Sequence, residues 1–186
     1  MNIKNEADVA RLVESDPWMM EILRAAEELN LPNWWIGAGF LRNRIWDAMS
    51  GNLMQKPRDI DLVYFNQDDT TAETDWLYDR TMKERHPSVE WEVRNQARMH
   101  YKNDDKPYVS TEDGIAHWVE TATCIAVRLV EGDLEFLWCY GMDDVLSMTA
   151  RPIPMYQKPE YIEVFRKRVA EKSWQSRWPC LKVVES

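Results

Sequence analysis

The chain has 186 residues, of which 45% are hydrophobic and 30% are charged. This length and composition predict one folded domain with a sizeable core and exclude a disordered chain. No apolar run approaches the roughly 20 residues that a membrane-spanning helix needs, and the N-terminus has no apolar signal region, so we expect a cytoplasmic protein with no membrane partner. The net charge of -9 argues against a general nucleic-acid binder, which needs a basic surface. The three cysteines are widely spaced and odd in number, which predicts reduced thiols and no zinc site.

The first half of the chain predicts helices that alternate with short strands. Asp16 followed by Pro17 is typical of a helix start, and Gly51 of a helix end. Thr70 and Glu73 predict a capping box at the start of a later helix. In chain order, the predicted elements are helices over 5–14, 17–30 and 39–50, a helix that ends before 87, and strands over 33–37, 59–66 and 89–96.

The second half predicts a similar mixture. Ser110 and Asp113 are candidate caps for a helix, and Glu131-Gly132-Asp133 predicts the turn of a hairpin. The predicted elements are helices over 111–122, 141–150 and 159–172, and strands over 124–130 and 134–140. No repeat or linker divides the pattern, so we expect one α/β or α+β domain over 1–186, with a helical extension from about 142.

Two aspartates lie at the start of the second predicted strand. Since successive strand side chains alternate between faces, Asp59 and Asp61 point the same way, with Cα atoms about 7 Å apart. Carboxylate oxygens suit Mg²⁺, or Mn²⁺ in its place, and two such ions about 4 Å apart activate an attacking oxygen and stabilise a leaving pyrophosphate. The third strand offers Glu92 or Glu90 as a third ligand, and we expect Glu92 because it lies deeper in its strand. The structural alternative is that Asp59 is a turn residue and Asp61 a solvated strand position.

A glycine turn precedes this acidic pair. Gly37 and Gly39 would let the backbone approach a phosphate, and the helix that follows presents free N–H groups and a positive dipole end. Arg42 lies one turn into that helix and is a candidate partner of a triphosphate, ahead of Arg44. The structural alternative is a tight strand-to-helix connection with no ligand. A dinucleotide-binding turn is excluded, because its third glycine would stand at position 42.

Other polar residues give weaker signals. Asn95, Arg98 and His100 lie just past the third strand, where we expect capping or surface roles ahead of substrate contact. His117, next to a tryptophan, is interpreted as structural. The basic run 166–168 predicts a solvated helix face, with contact to an acidic acceptor such as a small RNA as the alternative.

The stretch Ala38-Gly39-Phe40-Leu41-Arg42-Asn43, followed by Asp59-Ile60-Asp61, resembles the motifs of the DNA polymerase beta-like nucleotidyltransferase superfamily. A closer resemblance is to a bacterial nucleotidyltransferase-like family whose substrates are not established, and it runs through 39–47, 58–65, 91–100, 141–145 and 151–154. The resemblance implies a mixed sheet flanked by helices, with Asp59, Asp61 and Glu92 binding metal. The superfamily usually has Gly-Gly or Gly-Ser where this chain has Ala38-Gly39, so a serine that often touches phosphate is missing.

Two functions are compatible with these residues. In the first, a Mg²⁺-dependent nucleotidyltransferase moves a nucleoside monophosphate from a nucleoside triphosphate to an acceptor. Asp59, Asp61 and Glu92 would then be catalytic and metal-binding, while Gly37, Gly39 and Arg42 would bind the nucleotide. In the second, the same fold serves as a nucleotide-sensing or protein-interaction module with little turnover. The three acids favour the enzyme, because carboxylates that converge repel one another without a metal.

Overall fold

A computed structural model describes residues 3–103 and 105–186 of the protein. The helices are α1 (Glu6–Glu14), α2 (Pro17–Glu27), α3 (Gly39–Ser50), α4 (Ala72–Arg85), α5 (Gln96–Asn103), α6 (Thr111–Ala116), α7 (Asp143–Leu146), α8 (Ile162–Lys172) and α9 (Trp174–Arg177). The strands are β1 (Trp35–Gly37), β2 (Asp59–Tyr64), β3 (Glu90–Asn95), β4 (Ile125–Val130), β5 (Asp133–Trp138), β6 (Thr149–Ala150) and β7 (Lys182–Val183). Within the described residues, no helix is both long and apolar enough to span a membrane.

Five of the strands form one mixed sheet in the order β3-β2-β1-β4-β5. β1 is antiparallel to both β2 and β4, whereas β2 and β3 run parallel and are connected through α4. β4 and β5 form the predicted hairpin. The prediction of a mixed sheet flanked by helices is therefore confirmed.

The strand that follows α4 shows why the two acidic strands present carboxylates on one face. In β3, Trp91 and Val93 are buried while Glu90 and Glu92 are exposed, so the predicted alternation is confirmed. Asp79 of α4 fixes this strand, because its carboxylate accepts hydrogen bonds from the Val93 N–H (2.7 Å) and from Arg94 Nη1 (2.7 Å).

Local end signals account for several of the helix boundaries. The Asp16 side chain accepts a hydrogen bond from the Met19 N–H (3.2 Å), and α3 ends at Gly51 with φ +69°. The predicted capping box of Thr70 and Glu73 is wrong. α4 has Thr71 at its N-cap with no side-chain capping bond, and Asp69 Oδ1 accepts from the Thr71 N–H at 3.0 Å instead.

The second half departs further from the predicted elements. The helix predicted over 111–122 ends at Ala116, and the one predicted over 141–150 is only the four residues of α7. After α7, β6 pairs in parallel with β7, the last strand of the chain. α5, α9 and this two-stranded sheet were not predicted, because short elements have weak periodicity.

The C-terminal segment packs back onto α3. The fully buried Trp46 of α3 makes edge-to-face contacts with Trp174 and Trp178, with ring centroids 6.1 Å and 5.1 Å away. Asp47, also fully buried, forms an ion pair with Arg177 and accepts a hydrogen bond from Trp178 Nε1 (2.9 Å). These contacts place residues 174–178 beside the start of β2.

Candidate active site

The carboxylates of the two parallel strands β2 and β3 lie side by side toward the N-terminal ends of these strands, at one edge of the sheet. Asp61 of β2 lies opposite Glu92 of β3 in register, and Asp59 lies opposite Glu90. Neighbouring strands are about 4.8 Å apart, so Asp61 and Glu92 are adjacent on the same face. Glu92 lines the cleft described below, whereas the carboxylate of Glu90 lies 3.5 Å from the ammonium of Lys83.

This edge concentrates negative charge. Burial raises the pKa of Asp61 to about 6, and the charges of Asp59 and Glu92 act in the same direction, against the lowering effect of Arg168 and Lys172. Among the groups that the structure describes, none donates a hydrogen bond to the carboxylates of Asp59 and Asp61. A cation bound here would relieve the repulsion that these carboxylates exert on one another.

The third carboxylate does not complete a metal cage. Among the described residues, no group of three His, Cys, Asp or Glu side chains is arranged to hold a metal ion. Glu92 is turned toward Arg94, with Oε2 and Nη2 4.0 Å apart. The donor chemistry of Asp59 and Asp61 nevertheless fits Mg²⁺, which usually takes only one or two protein carboxylates and completes its shell with water and substrate phosphates. Ligation by all three acids stays a prediction.

The two glycines of the turn occupy different surroundings. A Cβ on Gly37 would lie 2.5 Å from Trp118 Cη2, so the absence of a side chain leaves room for this ring. Gly39, the first residue of α3, lines the cleft. A Cβ added to Gly39 would have Asn43 Nδ2 as its nearest neighbour, at 3.3 Å. Gly37 therefore has a packing role, and its predicted contact with a nucleotide stays a prediction.

Ala38, between them, adopts a backbone conformation that favours glycine, with φ +53° and ψ -123°. Such conformations cost a non-glycine residue on the order of 1–3 kcal/mol and persist where the surrounding structure enforces them. Here the Ala38 N–H donates to the Ile125 carbonyl (3.1 Å), and its own carbonyl accepts from the Arg42 N–H (3.1 Å). The turn thus places the start of α3, whose first amides have no partner within the helix, at the wall of the cleft.

A cleft of about 450 Å³ opens between this helix terminus, the acidic edge and the C-terminal segment. Three carboxylates line it, from Asp59, Asp61 and Glu92. The cationic side chains that line it outnumber them, and they are Arg42, Lys56, Arg58, Arg168, Lys172 and Arg177. Because Arg168 and Arg177 are paired with the buried Glu120 and Asp47, the positive charge that faces the three carboxylates comes mainly from Arg42, Lys56, Arg58 and Lys172.

Arg42 is built into the wall of this cleft. Its side chain is buried, Nη1 donates to Thr123 Oγ1 (2.6 Å), and the guanidinium lies 4.7 Å from the centre of the Trp174 ring. Burial lowers the pKa of Arg42 to about 10, although the charges of Glu120 and Asp61 oppose this effect. Arg42 is therefore held rigidly and stays charged at neutral pH.

Sequence reasoning missed a network that joins Arg42 to α8. Thr123 Oγ1 donates to Oε2 of the buried Glu120 (2.8 Å), and Glu120 Oε1 lies 2.7 Å from Arg168 Nε in an ion pair without hydrogen-bond geometry. Arg166 and Lys167, the other residues of the basic run, pair with glutamates at the surface. The prediction that this run forms a solvated helix face is wrong for Arg168. Arg168 lies three residues after the buried Phe165, and this helical spacing was the sequence signal that Arg168 faces inward.

The polar residues at the end of β3 and just past it have structural partners. Asn95 is buried and its Nδ2 donates to the carbonyls of Asn66 (2.7 Å) and Asp69 (2.8 Å). Arg98 pairs with the fully buried Asp75, and His100 is buried beside Tyr101 with ring centroids 3.9 Å apart. The expected capping role is confirmed for Asn95, whose Oδ1 accepts from the Ala97 N–H (3.1 Å) at the start of α5. The expected surface role is wrong for the buried His100, and none of the three residues lines the cleft.

Comparison with known proteins identifies the family. The sequence profile of a nucleotidyltransferase family matches residues 24–183. The chain belongs to this family. A solved structure described as revealing the head domain of a CCA-adding enzyme shares the fold of this nucleotidyltransferase with a TM-score of 0.90. It is 30% identical, over 99% of this chain and 98% of that one.

Longer enzymes contain a related fold over part of their length. A CCA-adding enzyme in complex with CTP is 15% identical with a TM-score of 0.50, and a tRNA-processing enzyme complex is 16% identical with a TM-score of 0.52. The matches cover 91% and 88% of this nucleotidyltransferase but only 47% and 43% of those chains, so they show the fold alone. No curated protein sequence matches the chain.

Proposed function

We propose that this nucleotidyltransferase moves a nucleoside monophosphate from a nucleoside triphosphate to an acceptor with the help of Mg²⁺ or Mn²⁺. The observation that carries this proposal is the cleft itself, in which Asp59 and Asp61 lie together with the N-terminus of α3 and with cationic side chains from several elements. A triphosphate–metal complex has the complementary pattern of charge. The longer fold relative that was solved with CTP is consistent with a nucleoside triphosphate as donor.

Each wall of the cleft has a role in this reaction. The amides at the start of α3, with Arg42 and Lys172, bind the triphosphate and orient its α-phosphate toward Asp61. Asp59, Asp61 and Glu92 are the residues that would hold the metal, whose charge would stabilise the attacking oxygen and the leaving pyrophosphate. The Glu120–Arg168 ion pair positions α8 over the cleft. Catalysis would come mainly from positioning and charge neutralisation.

One observation favours the second candidate, a nucleotide-binding module with little turnover. Glu92 is turned toward Arg94, and the described residues hold no metal-binding group of three acids. If the protein is an enzyme, the Glu92 side chain would move away from Arg94 when substrate and metal bind. If it is a binding module, Glu92 would stay beside Arg94.

Thermal unfolding with ATP, CTP, GTP or UTP and Mg²⁺ tests donor binding. A ligand at about 100 times its Kd stabilises the folded state by about 2.7 kcal/mol, or roughly 5–11 °C for a chain of this size. Asp61→Asn should abolish the shift, and Asp133→Asn, at the exposed hairpin turn, should retain it. No shift with any triphosphate would contradict both candidates. A shift without pyrophosphate release across an acceptor screen would favour the module.

A further inference from the structure

A second cavity, of about 250 Å³, adjoins the cleft further along the acidic strands. It includes Asp61 and Val63 of β2 but not Asp59, which lines only the cleft. Ala38, Asp61, Glu92 and Arg168 line both spaces. The two spaces therefore meet at the carboxylate beside which the α-phosphate would react. We call the smaller space the ring cavity, after the side chains that form its walls.

Four side chains with rings line the ring cavity. Its lining includes Tyr108, His117, Trp118 and Tyr156. The rings of Tyr108 and His117 are stacked, with centroids 4.8 Å apart and an interplanar angle of 27°. Stacking of a nucleobase on an aromatic side chain contributes about 1–3 kcal/mol and tolerates any base.

The cationic groups of the ring cavity are already paired with acids. Arg94 Nη1 lies 2.7 Å from Asp79 Oδ2, and Arg168 is held by Glu120. The remaining charged residues of its lining are the carboxylates of Asp61 and Glu92. This balance disfavours a phosphorylated acceptor. The volume, just below the roughly 300–1,000 Å³ found for small-molecule sites, suits a nucleoside rather than a folded nucleic acid.

The in-line geometry of the reaction indicates whether the ring cavity binds the donor or the acceptor. Phosphoryl transfer proceeds in line, so the attacking oxygen and the leaving pyrophosphate lie on opposite sides of the α-phosphorus. With the pyrophosphate in the cationic cleft, the attacking group comes from the side of the ring cavity. We infer that the ring cavity binds the acceptor, and that this acceptor is a small, uncharged molecule of nucleoside size that carries a hydroxyl group on or beside a flat ring.

This inference rests on the proposed function and adds the acceptor class to it. The acceptor oxygen forms a bond to the α-phosphorus while the bond from that phosphorus to the oxygen of the β-phosphate breaks. Pyrophosphate leaves with the electron pair, and the hydroxyl proton is released to water. The products are a nucleoside monophosphate ester of the acceptor and pyrophosphate.

Methyl NMR with adenosine and cytidine as probes tests binding. Because Met99 and Val119 line the ring cavity, their labelled methyl signals should shift as either nucleoside is added, while those of Val130, on the hairpin, should not. An absence of shifts at Met99 and Val119, with both probes at millimolar concentration, would overturn the inference. This measurement uses the unmodified protein and does not depend on the folding of any variant.

A transfer assay with α-labelled triphosphate, Mg²⁺ and each nucleoside tests the role in catalysis. Val119→Trp should fill the ring cavity and reduce transfer to the nucleoside at least tenfold, while the thermal shift with triphosphate stays unchanged. Val130→Trp is the matched control and should leave both unchanged. Equal transfer by the two variants, or transfer only to the end of a short RNA, would overturn the inference. Loss of the triphosphate shift in the unmodified protein would instead refute the proposed function.

Discussion

Replacement of Asp47 by alanine should weaken the attachment of the C-terminal segment to α3 and so destabilise the protein. The carboxylate of Asp47 is fully buried and pairs with Arg177 through Nε (3.0 Å) and Nη2. It also accepts hydrogen bonds from Trp178 Nε1 (2.9 Å) and from the Gln55 N–H (3.2 Å). Alanine removes these contacts together and leaves their donors behind.

The loss can be estimated from the burial of each donor. The indole N–H belongs to Trp178, which is 2% exposed, and leaving it without a partner costs about 1–3 kcal/mol. Arg177 has a side chain that is 24% exposed, so water recovers part of its loss, which falls below the roughly 3–5 kcal/mol measured for fully buried pairs. Together these effects predict a loss of about 3 kcal/mol, or roughly 6–12 °C in Tm.

Urea unfolding followed by circular dichroism measures this change in the free energy of unfolding. Asp47→Asn keeps one carbonyl oxygen as acceptor for the indole and should lose less. Glu163→Ala, which breaks an exposed ion pair with Arg166, is the control and should change stability by no more than about 0.5 kcal/mol. A loss below about 1 kcal/mol for Asp47→Ala, or one no larger than that of the control, would refute the reasoning.

The remaining predictions concern two glycines and one aspartate. Gly37→Ala should lower the free energy of unfolding by about 1–3 kcal/mol, because its Cβ would overlap Trp118, whereas Gly39→Ala should change it by no more than about 0.5 kcal/mol and reduce the thermal shift with triphosphate. Equal losses of stability would contradict these separate roles. Hydrogen bonds from two threonines lower the pKa of Asp69 to about 2, so its stabilising contribution is full above pH 4 and is lost as the pH falls toward 2. Asp69→Asn should therefore be less stable than the unmodified protein at pH 6 but not near pH 2, and a pH-independent difference in urea unfolding would contradict this.

Local patterns were predicted well where neighbouring residues decide the structure. The alternation in β3 gave the faces of Glu92 and Trp91, and Gly51 gave the end of α3, because side-chain direction and helix termination depend on a few adjacent residues. The capping box of Thr70 and Glu73 failed although its spacing is correct. α4 has Thr71 rather than Thr70 at its N-cap, and Asp69 accepts the N–H of Thr71, so the spacing is right for a helix that starts one residue earlier than this one does.

The candidate site likewise has features that local sequence predicts and features that depend on the tertiary structure. The sequence by itself determined that Asp59 and Asp61 share a strand face and that Gly39 opens a helix, since both follow from backbone geometry. Only the tertiary structure decided that Asp61 lies opposite Glu92 and that Arg168 reaches the cleft, because strand register and the packing of α8 depend on segments far apart in the chain. The ring cavity also depends on the tertiary structure. Its walls come from several elements that no single stretch of sequence brings together.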